Sequence, residues 1–392
     1  MGKEPTHEMS SEELLHYRDL ARQYSKKSLL PLFSGEPDGN LDLLSEKLEV
    51  AFSTGLATSP ELSMPGSTYG IWGSATDDQG MTPSLLLLAT IAETCGGVAM
   101  CLHAQGVASN LVLQTKVKKL PAPVRVGLCL QEGMGPPSLG VIIAPEKDAP
   151  ARIVTTATAE GNTYIIEGCK SFVHSMDGIE AYAVLAREGQ RWGFFLVPAD
   201  GNGITRTDVG ARTGLRACRV EHVEFKKVTV PYEARLDDGD ARGLVLRALG
   251  LNWAGMSAIA VGIAKGAAAA ARAYAAERYQ GGSQIEEHPA VKILIAGSEA
   301  AIQTAEAMVF SLKECNFTTP RQLLKPAAAK LAVTELCARA VTDCLQVFGG
   351  YGYMEDFGME KRLRDVTTLK SALGSPLFLR QFVFDAEKEN AR

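Results

Sequence analysis

Apolar residues recur at helical spacing from the start of the chain to about residue 115, switch to short alternating runs, and return to helical spacing over the last third. SSEELLHYRDLARQYSKKSLLPLF opens on a Ser-x-x-Glu capping box at Ser10 or Ser11 and carries an apolar stripe, which predicts an N-terminal helix. LDLLSEKLEVAFSTG predicts a second, stopping at Gly55, and a Gly- and Ser-rich loop, MPGSTYGIWGSATDDQGMTP, follows. LLLLATIAETCGGVAMCLHAQGVASNLVLQ is apolar nearly all round, the pattern of a helix buried on every side.

Six β-rich runs come next: VRVGLCLQEG, ARIVTTATAEG, TYIIEGCKSFVHS, AYAVLAREG, RWGFFLVPADG and EHVEFKKVTVP. Their spacing, with Gly, Asp and Pro between them, predicts a small β-barrel or sandwich. From about residue 240 the chain is Ala-rich and helical again. Helices, strands, then helices predict an α+β protein with an N-terminal helical domain over 1–124, a central β domain over 125–237 and a C-terminal helical bundle over 238–392.

Composition adds mainly exclusions. The 392 residues are 46% hydrophobic and 22% charged, an ordinary globular balance with room for a large core. A formal charge of −5 is the opposite of a nucleic-acid footprint. No unbroken apolar run nears the roughly 18 residues that span a bilayer, and the polar N-terminus has no signal-peptide pattern. The eight cysteines include no Cys-x-x-Cys pair and sit mostly in apolar runs, as free thiols of a cytoplasmic protein do; no metal site is expected.

Four segments carry a family resemblance, in order along the chain. YIIEGCKSFVHS is similar to a Gly-x-Lys-x-(Trp/Phe)-Ile-Thr turn, and TGLRACRVEHVEFKKVTVP to a Gly-x-Arg-x-Ser segment with its strand. ERYQGGSQIEEHPAVK resembles an Arg-x-x-Phe-Gly-x-x-Ile segment, and QVFGGYGYMEDFGMEKRLRD a Gln-x-x-Gly-Gly-x-Gly motif closing on Arg-Asp. Together they resemble the acyl-CoA dehydrogenases. The resemblance implies FAD, held at its ADP half across a subunit boundary by Arg278, Gln346, Gly349 and Gly350, and at its ring by Phe172, Val173, His174, Gln131 and Ser375. Arginine suits bidentate pairing with a pyrophosphate, and glycines let backbone approach it. Also implied are an acyl-CoA or acyl-carrier thioester touching Trp253, Ser138 and His103, an electron-transfer flavoprotein, and a homo- or hetero-oligomer, dimer or homotetramer.

The departures concern the base. The family's usual Glu lies nine residues beyond the Arg of Arg-Asp; counted from Arg364 that position is Leu373, followed by Gly374-Ser375. Aligning Gly262 and Arg278 puts the alternative Glu position at Asn252. Neither side chain is a general base. Gln131-Glu132-Gly133 replaces Thr-Glu-Pro, and Phe172-Val173-His174 replaces Trp-Ile-Thr. His174 is the replacement candidate, because histidine is the commonest base near neutral pH; His103 and Cys101 could place polar groups in the acyl cavity. Glu355 and Asp356 read as solvated, and Asp365 as paired to a basic neighbour. Three functions stay open: a competent FAD-dependent dehydrogenase with a relocated base, a base-deficient subunit of a hetero-oligomer, and a member with oxygenase or lyase-type chemistry.

Overall fold

The computed structural model describes residues 11–33, 41–60, 70–73, 80–115, 124–133, 153–239, 241–313 and 316–390. Ser138, most of the 64–83 loop and the KVKKLPAP segment lie outside these residues.

Helix α1 (Ser11–Tyr24) runs on through a π-helical turn, Ser25–Leu29, and a 3-10 turn, Leu30–Phe33; α2 covers Leu41–Ser53. The long apolar stretch expected to be one helix is two, α3 (Thr82–Ala92) and α4 (Gly96–Leu113), because Cys95 is extended, with φ −149° and ψ 113°. Both are buried on nearly every face.

Seven strands follow: β1 (Val126–Cys129), β2 (Thr156–Glu160), β3 (Thr163–Ser175), β4 (Ala181–Glu188), β5 (Arg191–Pro198), β6 (Ile204–Asp208) and β7 (Arg219–Pro231). They form one mixed sheet in the order β1-β4-β2-β3-β7-β6, with β5 paired to β4. β6 was not legible because ITRTD is short, polar and almost wholly exposed. Two register shifts interrupt the β3–β7 ladder, and the second, between Lys170 and Val173, holds Phe172 at φ +54°.

The C-terminal part is α5 (Arg242–Glu277), α6 (Pro289–Phe310), α7 (Leu324–Val347), α8 (Met359–Ser371) and α9 (Pro376–Asn390). Helix α5 is the axle of the fold. Small residues bring its neighbours close: a Cβ on Gly262 would stand 2.1 Å from the Ala89 carbonyl oxygen, and one on Gly266 the same distance from that of Glu93.

By length and composition, α4, α5 and α6 could each cross a membrane, although no unbroken apolar run exists. The isolated polar residues that interrupt them hardly lower the mean hydropathy. For α4 and α5 that hydropathy is explained by burial, 89% and 94% of their most apolar windows lying inside the fold, whereas the α6 window is only 22% buried.

Candidate functional site

Two walls and a turn line a half-open cavity of about 40 Å3. The helical wall carries Met100 and Ala104 from α4 and Asn252 and Met256 from α5, each pair four residues apart and therefore on one helix face. The sheet wall carries Leu128, Leu130 and Gln131 at the exit of β1, and Ser171, Phe172 and His174 from β3. Leu373, on the turn after α8, closes the space. Leu373 and Asn252, the two positions at which the family resemblance implies a carboxylate, thus face one cavity, and neither is an acid.

A buried ion pair fixes the sheet wall. Lys170 Nζ lies 2.6 Å from Glu132 Oε1, and the same carboxylate accepts the backbone N–H groups of Val154 (2.7 Å) and Thr155 (2.9 Å). Burial works against the charge on Glu132, but the ammonium and those donors prevail and hold its carboxyl below the usual range. Ser171 N–H donates to the Gln131 carbonyl at 2.8 Å, so the Gln-Glu-Gly segment is fastened to β3.

His174 is half-buried on this wall. Burial, with Arg212 nearby, pushes its imidazole down to about 4, while the adjacent Phe172 backbone works the other way. A neutral imidazole has one unprotonated ring nitrogen able to accept a proton.

His103 was expected to touch substrate, but it sits one layer behind the wall, fully buried. The Trp72 indole Nε1–H donates to His103 Nδ1 at 2.8 Å, and His103 Nε2 lies 3.1 Å from Asn252 Oδ1. Burial lowers its pKa to about 3, so it is neutral with both nitrogens engaged. Trp253, the other expected substrate contact, is also in the core rather than on the cavity wall. Its indole N–H donates to the Leu373 carbonyl at 2.8 Å, and its ring packs against Phe382, so it props the turn. The physical reason is helical phase: a residue adjacent to Asn252 is rotated about 100° away from it.

Other candidates do not line it. The Ser375 hydroxyl accepts the Phe378 N–H at 3.3 Å as a helix cap, and Val173 is buried in the sheet between Phe172 and His174. Cys101 does not reach this cavity; its thiol donates to the Ser175 carbonyl at 3.5 Å. Asp365 is buried, 2.5 Å from Lys361 Nζ, and accepts the Leu215 N–H at 2.6 Å. Glu355 and Asp356 are exposed.

A second surface gathers the residues expected to grip a dinucleotide. Arg278 follows α5, with its guanidinium over the Tyr351 ring at 5.5 Å and its buried Nε without a partner among the described residues. Gly349 (φ +57°) and Gly350 are both open, so a Cβ at either would meet nothing among the described residues, and Gln346 is exposed beside them. A guanidinium beside accessible backbone fits an anionic pyrophosphate. None of these four residues lines the cavity.

Residues 145–228 match the family model for the acyl-CoA dehydrogenase middle domain, and residues 242–384 match that for the acyl-CoA dehydrogenase C-terminal domain. The chain belongs to the acyl-CoA dehydrogenase family. It is an oxidoreductase of that family, whose members are FAD-dependent. It is 28% identical over 367 residues to the cyclohexane-1-carbonyl-CoA dehydrogenase of Geobacter metallireducens, covering 91% of this chain and 92% of that one. It is 26% identical over 366 residues to the Syntrophus aciditrophicus enzyme of the same name, at 91% of each. The butyryl-CoA dehydrogenase structure from Megasphaera elsdenii shares the fold at TM-score 0.80 and 21% identity, over 97% of this chain and all of that one.

Trp72 and Lys330 escaped the reading of the sequence. A lone tryptophan between glycines and a lone lysine within PAAAKLAV were the available signals.

Proposed function

We propose that this acyl-CoA dehydrogenase family member carries FAD and oxidises an acyl-CoA thioester, with His174 in place of the carboxylate that takes the α-proton. The supporting observation is the cavity wall: His174 is its one titratable side chain among the described residues, with a ring nitrogen left to receive a proton. Arg278, Gln346, Gly349 and Gly350 would hold the ADP half of the cofactor, and Phe172, His174 and Gln131 its ring. When bound, the flavin would supply hydride acceptance. The residues of the chain would position the thioester, exclude water and hold the proton at the free imidazole nitrogen.

The named activities of the two full-length relatives favour a CoA thioester, and a cyclic acyl group is the first to try. The reduced cofactor needs an electron sink. A relative from Acetobacterium woodii is named as the CarC subunit of a caffeyl-CoA reductase-Etf complex, which supports an electron-transferring flavoprotein as partner. The apolar, mostly exposed face of α6 supports assembly with further copies.

The test is anaerobic titration of the purified yellow protein with a panel of acyl-CoA esters. Bleaching of the flavin bands by one of them is expected, and loss of that bleaching in His174→Ala. Protein that stays colourless with added FAD, or a flavin indifferent to every ester, defeats the reading. A second reading, a base-deficient subunit, is favoured by the uncharged Leu373 and Asn252 positions; it requires bleaching only after co-expression with a competent homologue.

A further inference from the structure

The orientation of Asn252 is dictated from behind the cavity. Indole nitrogen is only a donor, so the 2.8 Å contact from Trp72 makes His103 Nδ1 an acceptor. The imidazole is neutral, so its proton lies on Nε2. That nitrogen must then donate to Asn252 across 3.1 Å, which fixes the amide oxygen as the atom facing His103. The amide nitrogen is turned the other way and gives one N–H to the Ala248 carbonyl at 2.7 Å. Its second N–H has no partner among the described residues, yet Asn252 lines the cavity. The rest of that helical wall is Met100, Ala104 and Met256. A single oriented donor on an apolar wall discriminates between ligands, because a wholly hydrocarbon occupant strands the N–H and an oxygen acceptor satisfies it.

We propose that Asn252 is a specificity-determining donor, with His103 as its positioning residue, and that the cavity selects acyl groups carrying an acceptor oxygen on an otherwise apolar body. The proposal rests on the thioester reading above and names its substrate class. His103 does not touch the substrate. It holds the amide in the orientation that presents N–H, and Trp72 holds the tautomer of His103.

The experiment is calorimetric titration of the holoprotein with hydrocarbon acyl-CoA esters and their mono-oxo counterparts, matched in size. At least one oxo ester should bind about tenfold to a hundredfold more tightly than its parent, the range set by leaving a buried donor unpaired. In Asn252→Leu that ratio should fall to near one, with the parent ester bound at least as well as before. In His103→Phe the ratio should also fall, a selectivity loss that general destabilisation, which weakens both esters alike, would not give. Equal binding of every matched pair by the unaltered protein overturns the proposal and leaves the thioester reading standing. So does an oxo preference that survives in Asn252→Leu. If no ester of either kind binds, both fail. Should the variants not fold, the unaltered protein's panel still decides.

Discussion

Lys330 Nζ donates a 2.6 Å hydrogen bond to the carbonyl oxygen of Gly374, tying the middle of α7 to the turn that carries Leu373. A longer contact, 3.4 Å, reaches the Lys370 carbonyl near the C-terminus of α8, where the helix dipole favours a cation. Unlike the buried lysines 170 and 361, which face Glu132 and Asp365, Lys330 has no carboxylate partner among the described residues.

This makes a stability prediction with a definite sign. Burial pushes the Lys330 ammonium down to about 7. Between that value and its ordinary value near 10.5 the unfolded chain holds a proton that the folded chain does not. Stability therefore rises with pH across this window, by up to about 1.4 kcal/mol per pH unit, and the slope vanishes below about 7. Lys330→Met should abolish this contribution. Urea unfolding of both proteins at several pH values from 7 to 10 measures it, and parallel profiles would count against a neutral buried amine.

Gly255 makes room for the relay behind the cavity. A Cβ there would stand 2.3 Å from His103 Cε1, 2.4 Å from Nδ1 and 2.9 Å from Trp72 Cζ2. Gly→Ala inside a helix ordinarily gains up to about 1 kcal/mol. Here overpacking should outweigh that gain and leave Gly255→Ala less stable by about 1–3 kcal/mol. A melting temperature equal to or above that of the parent would show that the wall yields more easily than its geometry suggests.

How much of this was legible depended on which residues speak locally. The helix–strand–helix order is written in the hydrophobic period, whereas Arg278, Gly349 and Gly350 were singled out by the family resemblance of the segments that carry them. The break between α3 and α4 was hidden because its three residues, Glu93, Thr94 and Cys95, lie between two long apolar runs, and period alone does not show so short an interruption. The misplacement of His103 and Trp253 had another cause. Which face of a buried helix meets a cavity is decided by neighbours far away in sequence, here Trp72 for one and Leu373 for the other. A helix that is apolar all round gives no moment from which to read that face.

The proposed base carries its own pH signature. His174 must be neutral to accept a proton, and burial lowers its pKa to about 4. The rate of anaerobic flavin bleaching should then hold steady through neutral pH and fall only as pH drops through about 4. An ordinary exposed histidine would lose activity near 6.5. A limb near 6.5 that persists in His174→Ala would assign the proton to another group.

Restoring an acid to the cavity tests whether a carboxylate is all that the site lacks. Leu373 lines the space with Asn252 on the opposite wall, and its backbone, at φ +43°, is held by Trp253 through its carbonyl. In Leu373→Glu the carboxyl would enter mostly apolar surroundings, which raise its pKa towards neutrality and strengthen it as a base. A positioned general base contributes about a hundredfold or more to proton transfer. A low-pKa imidazole is weaker, so substrate bleaching should accelerate by at least about tenfold in this variant at pH 7 to 8. Solvent deuterium exchange at the α-carbon should accelerate in parallel, since it reports proton removal without hydride transfer. An unchanged exchange rate in a folded, flavin-loaded Leu373→Glu protein would mean that the α-carbon does not face Leu373.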